Sequence, residues 1–222
     1  MKQRLNKEII AMRVGRELFD GAVVNLGFGM PSLASSYVPQ GIRVIFHSEN
    51  GVLGYGSMLT EEQQNQWDYD LINASAQFVS PAPGMSLFDI ATSFGMIRGG
   101  HIDITVLGAL QVSERGDLAN WRAPGKTGGM GGAMDLAVSC KKVIVAMEHT
   151  TKVGQAKVVN ECDYPLTAKR CVNLILTDLA VIEVRKEGLV LKEIAPGWTV
   201  DEVQCLTEPT LHIAPDLKEI EL

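Results

Sequence analysis

An apolar run passes through a glycine turn into a proline in AVVNLGFGMP, residues 22–31. Ala22 to Leu26 is long enough for a buried strand, and Gly27 and Gly29 permit a tight turn after it. Pro31 suits the first turn of a helix, because a residue there needs no backbone N–H donor. The stretch therefore predicts a strand–turn–helix unit, from which α/β sheets are built.

The same alternation continues along the rest of the chain. The predicted strands cover residues 22–26, 42–47, 102–110, 143–147 and 179–184, the last pairing as a hairpin with 189–194, and the predicted helices cover 2–20, 86–98, 133–138 and a short segment from Thr199. The sequence contains no repeat, low-complexity segment or dividing linker. We therefore expect one α/β domain over residues 1–222, with a mostly parallel or mixed sheet.

Composition and charge exclude several classes of protein. The 222 residues carry a formal net charge of −6, and an acidic surface opposes nucleic-acid binding because phosphates are neutralised by basic groups. The cysteines form no CxxC pair, which predicts reduced thiols rather than a zinc knuckle or redox dithiol; they are Cys140, Cys162, Cys171 and Cys205. No run reaches the roughly 18 apolar residues of a membrane helix, and the N-terminal segment lacks a signal-peptide core. We expect a cytoplasmic protein without a membrane span.

A carboxylate follows the predicted strand 42–47, within Ser48-Glu49-Asn50-Gly51. In open α/β sheets, ligands bind beyond the carboxyl ends of the strands, where Glu49 would face a ligand while the sheet holds it. Residues of this kind also form ordinary polar turns. These four residues alone leave both interpretations open.

Two further features could stabilise negative charge. Gly128 to Gly132 precedes the predicted helix 133–138, so its N–H groups could approach an anion, although the segment matches no nucleotide motif and could equally be a flexible loop. The Asn25 side chain, at the end of the first strand, could donate to an oxyanion or cap the following turn. The four histidines lack metal-ligand spacing, so no metal site is expected.

Seven motifs follow one another along the chain in a specific order. They are NLGFGMP (25–31), SENGVLG (48–54), MIRGGH (96–101), GDLANW (116–121), GMGGAMDL (129–136), MEH (147–149) and PLT (165–167). Together they resemble family I CoA-transferases, which include succinyl-CoA:3-ketoacid and acetate- or butyrate-acetoacetate CoA-transferases. The resemblance is to the B-type subunit, or to the C-terminal half of fused forms, and it covers most of the chain.

The resemblance implies a three-layer open-sheet domain and a ping-pong transfer of CoA from an acyl-CoA to a short-chain carboxylic or 3-keto acid. It implies that Glu49 is the nucleophile and carries CoA as a glutamyl thioester. It also implies that the Asn25 amide and the Gly132 N–H line the oxyanion side. The substrate-binding positions are then Gly27, Gly29, Asn50, Gly51 and Gly131. CoA is a substrate in this scheme, and no cofactor is expected.

The resemblance further implies a separate A-type CoA-transferase subunit and an assembly of two A-type and two B-type chains or larger. Two alternatives remain: an acyl-CoA hydrolase on the same scaffold, and a non-catalytic binding domain, because related folds host such functions. The carboxylate in the 48–51 turn favours an enzyme over a binding domain.

The chain departs from the family pattern at several positions. Phe28 and Met30 stand where smaller aliphatic residues are usual, and the polar segment 57–70 is longer than the common form. Asp178 stands where relatives often carry Glu, and it could help to position the site or merely cap a strand. These differences leave the acyl donor and acceptor undetermined.

Overall fold

The computed structural model describes residues 2–221, and of residues 126 and 127 it describes only the backbone. The α-helices are α1 (Lys7–Gly15), α2 (Ile90–Arg98), α3 (Ala133–Ser139) and α4 (Val200–Cys205), and two 3₁₀ helices span Met30–Tyr37 and Glu61–Gln66. The strands are β1 (Val23–Leu26), β2 (Ile45–Ser48), β3 (Val52–Leu53), β4 (Ser86–Leu87), β5 (Ile104–Leu107), β6 (Gln111–Ser113), β7 (Leu118–Ala119), β8 (Arg122–Ala123), β9 (Lys126–Thr127), β10 (Lys142–Met147), β11 (Val158–Val159), β12 (Leu174–Thr177), β13 (Ala180–Arg185), β14 (Gly188–Ile194) and β15 (Leu211–Glu219). The terminal residues Met1 and Leu222 of the predicted domain lie outside the described residues.

A ten-stranded sheet forms the centre of the fold, in the order β15-β14-β13-β12-β10-β5-β1-β2-β3-β4. Strands β2, β1, β5, β10 and β12 are parallel. Antiparallel pairs extend the sheet on both sides, and β15 returns parallel to β14. The smaller sheets join β11, β6 and β7, and β8 and β9. The large sheet is open, which confirms the mostly parallel or mixed α/β fold class predicted from the sequence.

Apolar side chains cover both faces of the large sheet. On one face Val24 packs in a cluster with Val14 of α1, and on the other Val145 packs in a cluster with Ile97 of α2 and Leu136 of α3. All five of these residues are fully buried. Burying a large apolar side chain contributes about 1.5–3 kcal/mol, so both helical layers are held to the sheet mainly by this packing. The result is the expected three-layer arrangement.

One row across the sheet is polar instead of apolar. His47 of β2 is the register partner of Asn25 of β1, and Asn25 is in turn the partner of Thr105 of β5. None of the three residues is more than 1% exposed. Because register partners on parallel strands point to the same face, the three side chains form a row, and Ser93 of α2 covers its His47 end.

Several predicted elements are shorter than expected. The helix predicted over 2–20 spans only Lys7–Gly15, because the Asn6 side chain caps it by accepting from the Ile9 N–H. The helix predicted over 86–98 begins at Ile90, after the Asp89 cap, and residues 86–87 form β4 instead. The segment 57–70 holds the short 3₁₀ helix that its polar composition allowed. Strand β15 was not predicted. Within residues 2–221, no helix is long and apolar enough to cross a bilayer.

Candidate active site

Glu49 lies at the tip of the turn that joins β2 to β3. The turn is closed by the Gly51 N–H, which donates to the Ser48 carbonyl at 3.0 Å, and Gly51 adopts a φ of +110°. Its carbonyl accepts from the Phe88 N–H at 3.0 Å, so the turn is also fixed to the segment before α2. Glu49 is half-buried and stands beyond the carboxyl end of a parallel strand, as the sequence predicted.

The glycine segment 128–132 brings a backbone donor to this carboxylate. Gly132 caps α3, and its N–H donates a hydrogen bond to the Glu49 side chain. A methyl group on Gly132 would overlap the Glu49 carboxylate and would lie 3.0 Å from the Phe94 ring. The two sequence-predicted residues Glu49 and Gly132 therefore meet in space, and only glycine fits at that approach.

The electrostatic surroundings disfavour the charged form of Glu49. Burial raises the pKa of its carboxyl group, the Gly132 N–H lowers it in part, and the Asp135 carboxylate raises it further. Asp135, in the first turn of α3, is itself paired with Arg98 of α2 at 2.7 Å. A carboxylate that has lost part of its water shell but keeps one N–H donor is suited to nucleophilic attack.

Asn25 lies beneath the turn rather than beside an open pocket. Its side-chain nitrogen donates to Nδ1 of His47 at 3.1 Å and, weakly, to the His47 carbonyl at 3.4 Å. The Asn25 side-chain oxygen is buried and has no hydrogen-bond partner among the described residues. Its role as an oxyanion donor stays a prediction, since the amide is directed to His47 in this structure.

The other substrate-binding positions predicted from the family surround the same edge of the sheet. Gly27 and Gly29 form the turn after β1, where the Gly27 N–H donates to the Val106 carbonyl at 2.8 Å and Gly29 has a φ of +84°. The exposed Asn50 donates to the Ile72 carbonyl at 2.7 Å, which joins the Glu49 turn to the segment after 57–70. Gly131 is exposed and has a φ of +56°.

Asp178 does not contact Glu49. It follows β12, accepts from the His149 N–H at 2.6 Å and pairs with Arg4 at 2.9 Å. Of the two roles open from the sequence, this geometry favours the structural one, because Asp178 ties the N-terminal segment to the ends of β10 and β12.

Several residues near the site were missed by sequence reasoning. His47 could have been found by strand alternation, since it stands two residues before Glu49 and shares its face. Ser93, Phe94 and Asp135 gave no local signal, because the chain brings them to the site only by packing α2 and α3 against the sheet. Among residues 2–221, no group of three or more His, Cys, Asp or Glu side chains is arranged to hold a metal.

Comparison with known proteins gives a consistent result. The profile of the coenzyme A transferase family matches residues 7–206. The chain is 47% identical over 212 residues to the beta chain of the acetate CoA-transferase of Escherichia coli K12, covering 95% of each chain. It is 48% identical over 215 residues to a mitochondrial succinyl-CoA:3-ketoacid coenzyme A transferase of Mus musculus, 96% of this chain but 41% of that protein.

A solved structure supports the same fold. The apoenzyme of an acyl-CoA transferase from Escherichia coli O157:H7 superposes with a TM-score of 0.76 over 100% of this chain and 44% of that chain. At 23% sequence identity, this likeness concerns the fold alone. The chain thus spans less than half the length of some proteins that it matches and nearly all of others.

Proposed function

The chain belongs to the coenzyme A transferase family as a beta-type subunit of the enzyme, and on this premise we propose that it transfers CoA to a short-chain carboxylic or 3-keto acid through a glutamyl-CoA thioester on Glu49. The observation that carries the proposal is the half-buried Glu49 carboxylate held by the Gly132 N–H. This arrangement supplies both a nucleophile and a donor for negative charge.

The proposed reaction begins when a Glu49 carboxylate oxygen attacks the thioester carbonyl of an acyl-CoA. The carbon–sulfur bond breaks, which leaves a mixed anhydride on Glu49 and a free CoA thiolate. The thiolate then attacks the Glu49 carbonyl carbon, so the first acid leaves as its carboxylate and CoA remains as a thioester. An incoming carboxylate reverses both steps and departs as the new acyl-CoA, with no net gain or loss of protons.

The Gly132 N–H is placed to assist the steps at the Glu49 carbonyl. In the free chain it already bonds a Glu49 oxygen, so it would face the oxyanion that forms when the thiolate adds to the Glu49 carbonyl carbon. A donor that is in place before charge develops requires no reorganisation, which is the basis of oxyanion stabilisation. We propose Asn25 as a second donor, which requires one of its N–H groups to turn from the weak 3.4 Å contact to the substrate.

We also propose that the active enzyme contains an A-type partner subunit, in two copies of each chain or more. The relatives whose names make them one of two kinds of subunit support this. Large apolar side chains are exposed on the elements that carry the site, as expected of a surface that another chain covers: Phe28 (79%), Leu87 (63%), Ile90 (62%), Met134 (47%) and Val138 (66%). The chain without a partner should therefore show little or no transferase turnover.

Trapping of the intermediate tests the proposed function. The chain co-expressed with its A-type partner is incubated with succinyl-CoA and no acceptor acid, then analysed by intact mass and peptide mapping. We expect CoA on Glu49, removal of the adduct by an added acid, and conversion of Glu49 to an alcohol by borohydride, which reduces a thioester but not a carboxylate. Glu49→Ala should abolish adduct and turnover, whereas Glu187→Gln, in the exposed β13–β14 turn, should change neither.

The same experiment separates the alternatives. An adduct on a cysteine or serine, or full activity in Glu49→Ala, would refute the mechanism. Release of free CoA and acid without an acceptor at a rate near that of transfer would instead identify an acyl-CoA hydrolase.

A further inference from the structure

A chain of three buried polar side chains lies directly under the Glu49 turn. Asn25, His47 and Ser93 come from β1, β2 and α2 and are at most 1% exposed. The Asn25 amide nitrogen lies 3.1 Å from Nδ1 of the His47 ring, and Nε2 of the same ring lies 3.0 Å from the Ser93 hydroxyl. Both ring nitrogens are therefore occupied, and His47 joins two different layers of the fold.

The same chain reaches the backbone of the turn. The Ser93 hydroxyl lies 3.4 Å from the Ser48 carbonyl, which also closes the turn by accepting from the Gly51 N–H. His47 itself is separated from Glu49 by only one residue. A shift of the His47 ring would thus move both the Asn25 amide and the base of the Glu49 turn.

His47 serves as a neutral hydrogen-bonding group. Burial lowers the pKa of its ring to about 4, so the ring is uncharged at neutral pH. A neutral imidazole accepts at one nitrogen and donates at the other. It can therefore join the Asn25 amide to the Ser93 hydroxyl without bringing a charge beside Glu49.

The Asn25 amide has no other anchor among residues 2–221. Its oxygen is buried without a partner, as is the hydroxyl oxygen of the neighbouring Thr105. An unpaired buried polar atom costs about 1–3 kcal/mol, so two of them in one row mark a place where the sequence has not been chosen for stability alone. Only the contacts with His47 fix which end of the Asn25 amide faces which way.

We propose that His47 is a positioning residue for the transferase reaction, holding the Asn25 amide and, through Ser93, the turn that presents Glu49. The inference rests on the proposed function, because it concerns the geometry of the same nucleophile and its second donor. Misplacing a reacting group by about 1 Å can lower turnover roughly 100-fold, so a loss of this anchor should affect kcat rather than KM.

Two substitutions of His47 separate positioning from acid–base chemistry. Glutamine carries both a donor and an acceptor and can bridge Asn25 and Ser93, so His47→Gln should keep kcat within about fivefold and leave the pH profile of kcat unchanged. Leucine has a similar volume and no polar atoms, so His47→Leu should lower kcat by roughly 10- to 100-fold, with KM within about threefold. The rate of CoA-adduct formation on Glu49 should fall with kcat.

His149 provides a matched control. It is also fully buried, and its ring also bridges two partners, the hydroxyls of Thr177 and Thr207, each at 2.9 Å. It follows β10 rather than β2, away from Glu49. His149→Leu should lower the melting temperature at least as much as His47→Leu, while the folded assembly keeps its kcat.

The measurements decide the inference in every case. Equal kcat losses in the two leucine variants, losses that follow melting temperature, or an unchanged kcat in His47→Leu would overturn it. If His47→Leu does not fold, Ser93→Ala removes only the Nε2 contact, and it should show a smaller loss confined to kcat; an unchanged kcat there would also overturn it. Absence of a wild-type adduct on Glu49 would refute the proposed function instead.

Discussion

At the scale of single residues, the approach of Gly132 to Glu49 excludes any side chain at position 132. The φ of Gly132 is −80°, which any residue can adopt, so Gly132→Ala should fold. The added methyl would displace the Glu49 carboxylate and break its hydrogen bond with the N–H. Loss of one such donor typically lowers turnover about 100- to 1000-fold.

Steady-state kinetics of the assembled enzyme check this expectation. Gly129→Ala is the control in the same segment, because a methyl there would meet no atom within 4 Å. It should keep near-normal turnover. Comparable losses in the two variants would mean that the segment as a whole, and not the approach of Gly132 to Glu49, limits the reaction.

Asp135 and Arg98 set the pH at which Glu49 becomes active. Asp135 raises the pKa of the Glu49 carboxyl, and Arg98 partly offsets the Asp135 charge. Because only ionised Glu49 can attack, kcat/KM should rise with pH through its pKa. Asp135→Asn should move this acidic limb to lower pH, and Arg98→Met should move it to higher pH. Shifts in the same direction, measured by pH-rate profiles, would contradict the assignment.

The raised pKa of Glu49 also has a consequence for stability. A carboxyl whose folded pKa lies above its unfolded value binds its proton more tightly in the folded state. Its favourable contribution is present below the unfolded pKa and is lost as pH rises through the folded pKa. Glu49→Gln should therefore raise the melting temperature near pH 7 and give no gain near pH 3, as measured by calorimetry. A lower melting temperature at neutral pH would show that the charged form is stabilised after all.

At the scale of elements, the β2–β3 turn depends on the backbone of Gly51. Its φ of +110° is unfavourable for other residues, and a methyl group would also overlap the Phe88 carbonyl. Strain of this kind costs about 1–3 kcal/mol, so Gly51→Ala should destabilise the protein and lower turnover by displacing Glu49.

Gly41 separates strain from overlap in that experiment. It also has a positive φ, of +86°, but an added methyl there would meet no atom within 4 Å. Gly41→Ala should therefore lower stability less than Gly51→Ala and leave turnover unchanged. Denaturant unfolding and kinetics of both variants provide the comparison. An equal loss of stability would show that the contact with Phe88 is unimportant.

The elements also show what the sequence could predict. Apolar runs marked the central strands, because strands buried on both faces need continuous apolar residues. The helix over 86–98 was predicted too long, because Leu87 and Ile90 fit its stripe but are 63% and 62% exposed. Glu49 and Gly132 were found through motif order. Their contact with Phe94 and Asp135 was not, because it depends on how α2 and α3 pack.

At the scale of the whole molecule, two buried histidines should make the fold sensitive to acid. Burial lowers the pKa of both His47 and His149 to about 4 from about 6.5. In the unfolded chain both take up protons below about pH 6.5, so stability present above that pH is lost as pH falls towards 4. Each contributes roughly 3 kcal/mol to this loss, since one pKa unit corresponds to about 1.4 kcal/mol.

Melting temperatures measured across this range check the expectation. The double variant His47→Gln/His149→Gln should lose less stability than the wild type between pH 6.5 and pH 4, because glutamine does not titrate. Parallel pH curves for the two proteins would indicate that other groups cause the acid sensitivity.

The strand order leaves β15 at one end of the sheet, with its outer backbone groups facing away from β14. An exposed outermost strand of this length can recruit strands from other molecules and aggregate. Here Pro215 interrupts it where the register with β14 shifts, and the charged residues Asp216, Lys218 and Glu219 follow. A proline lacks the N–H that a joining strand would need, and the charges repel close stacking. Polymerisation along the sheet is thereby discouraged, and association is left to the helical layers and the strand-end loops.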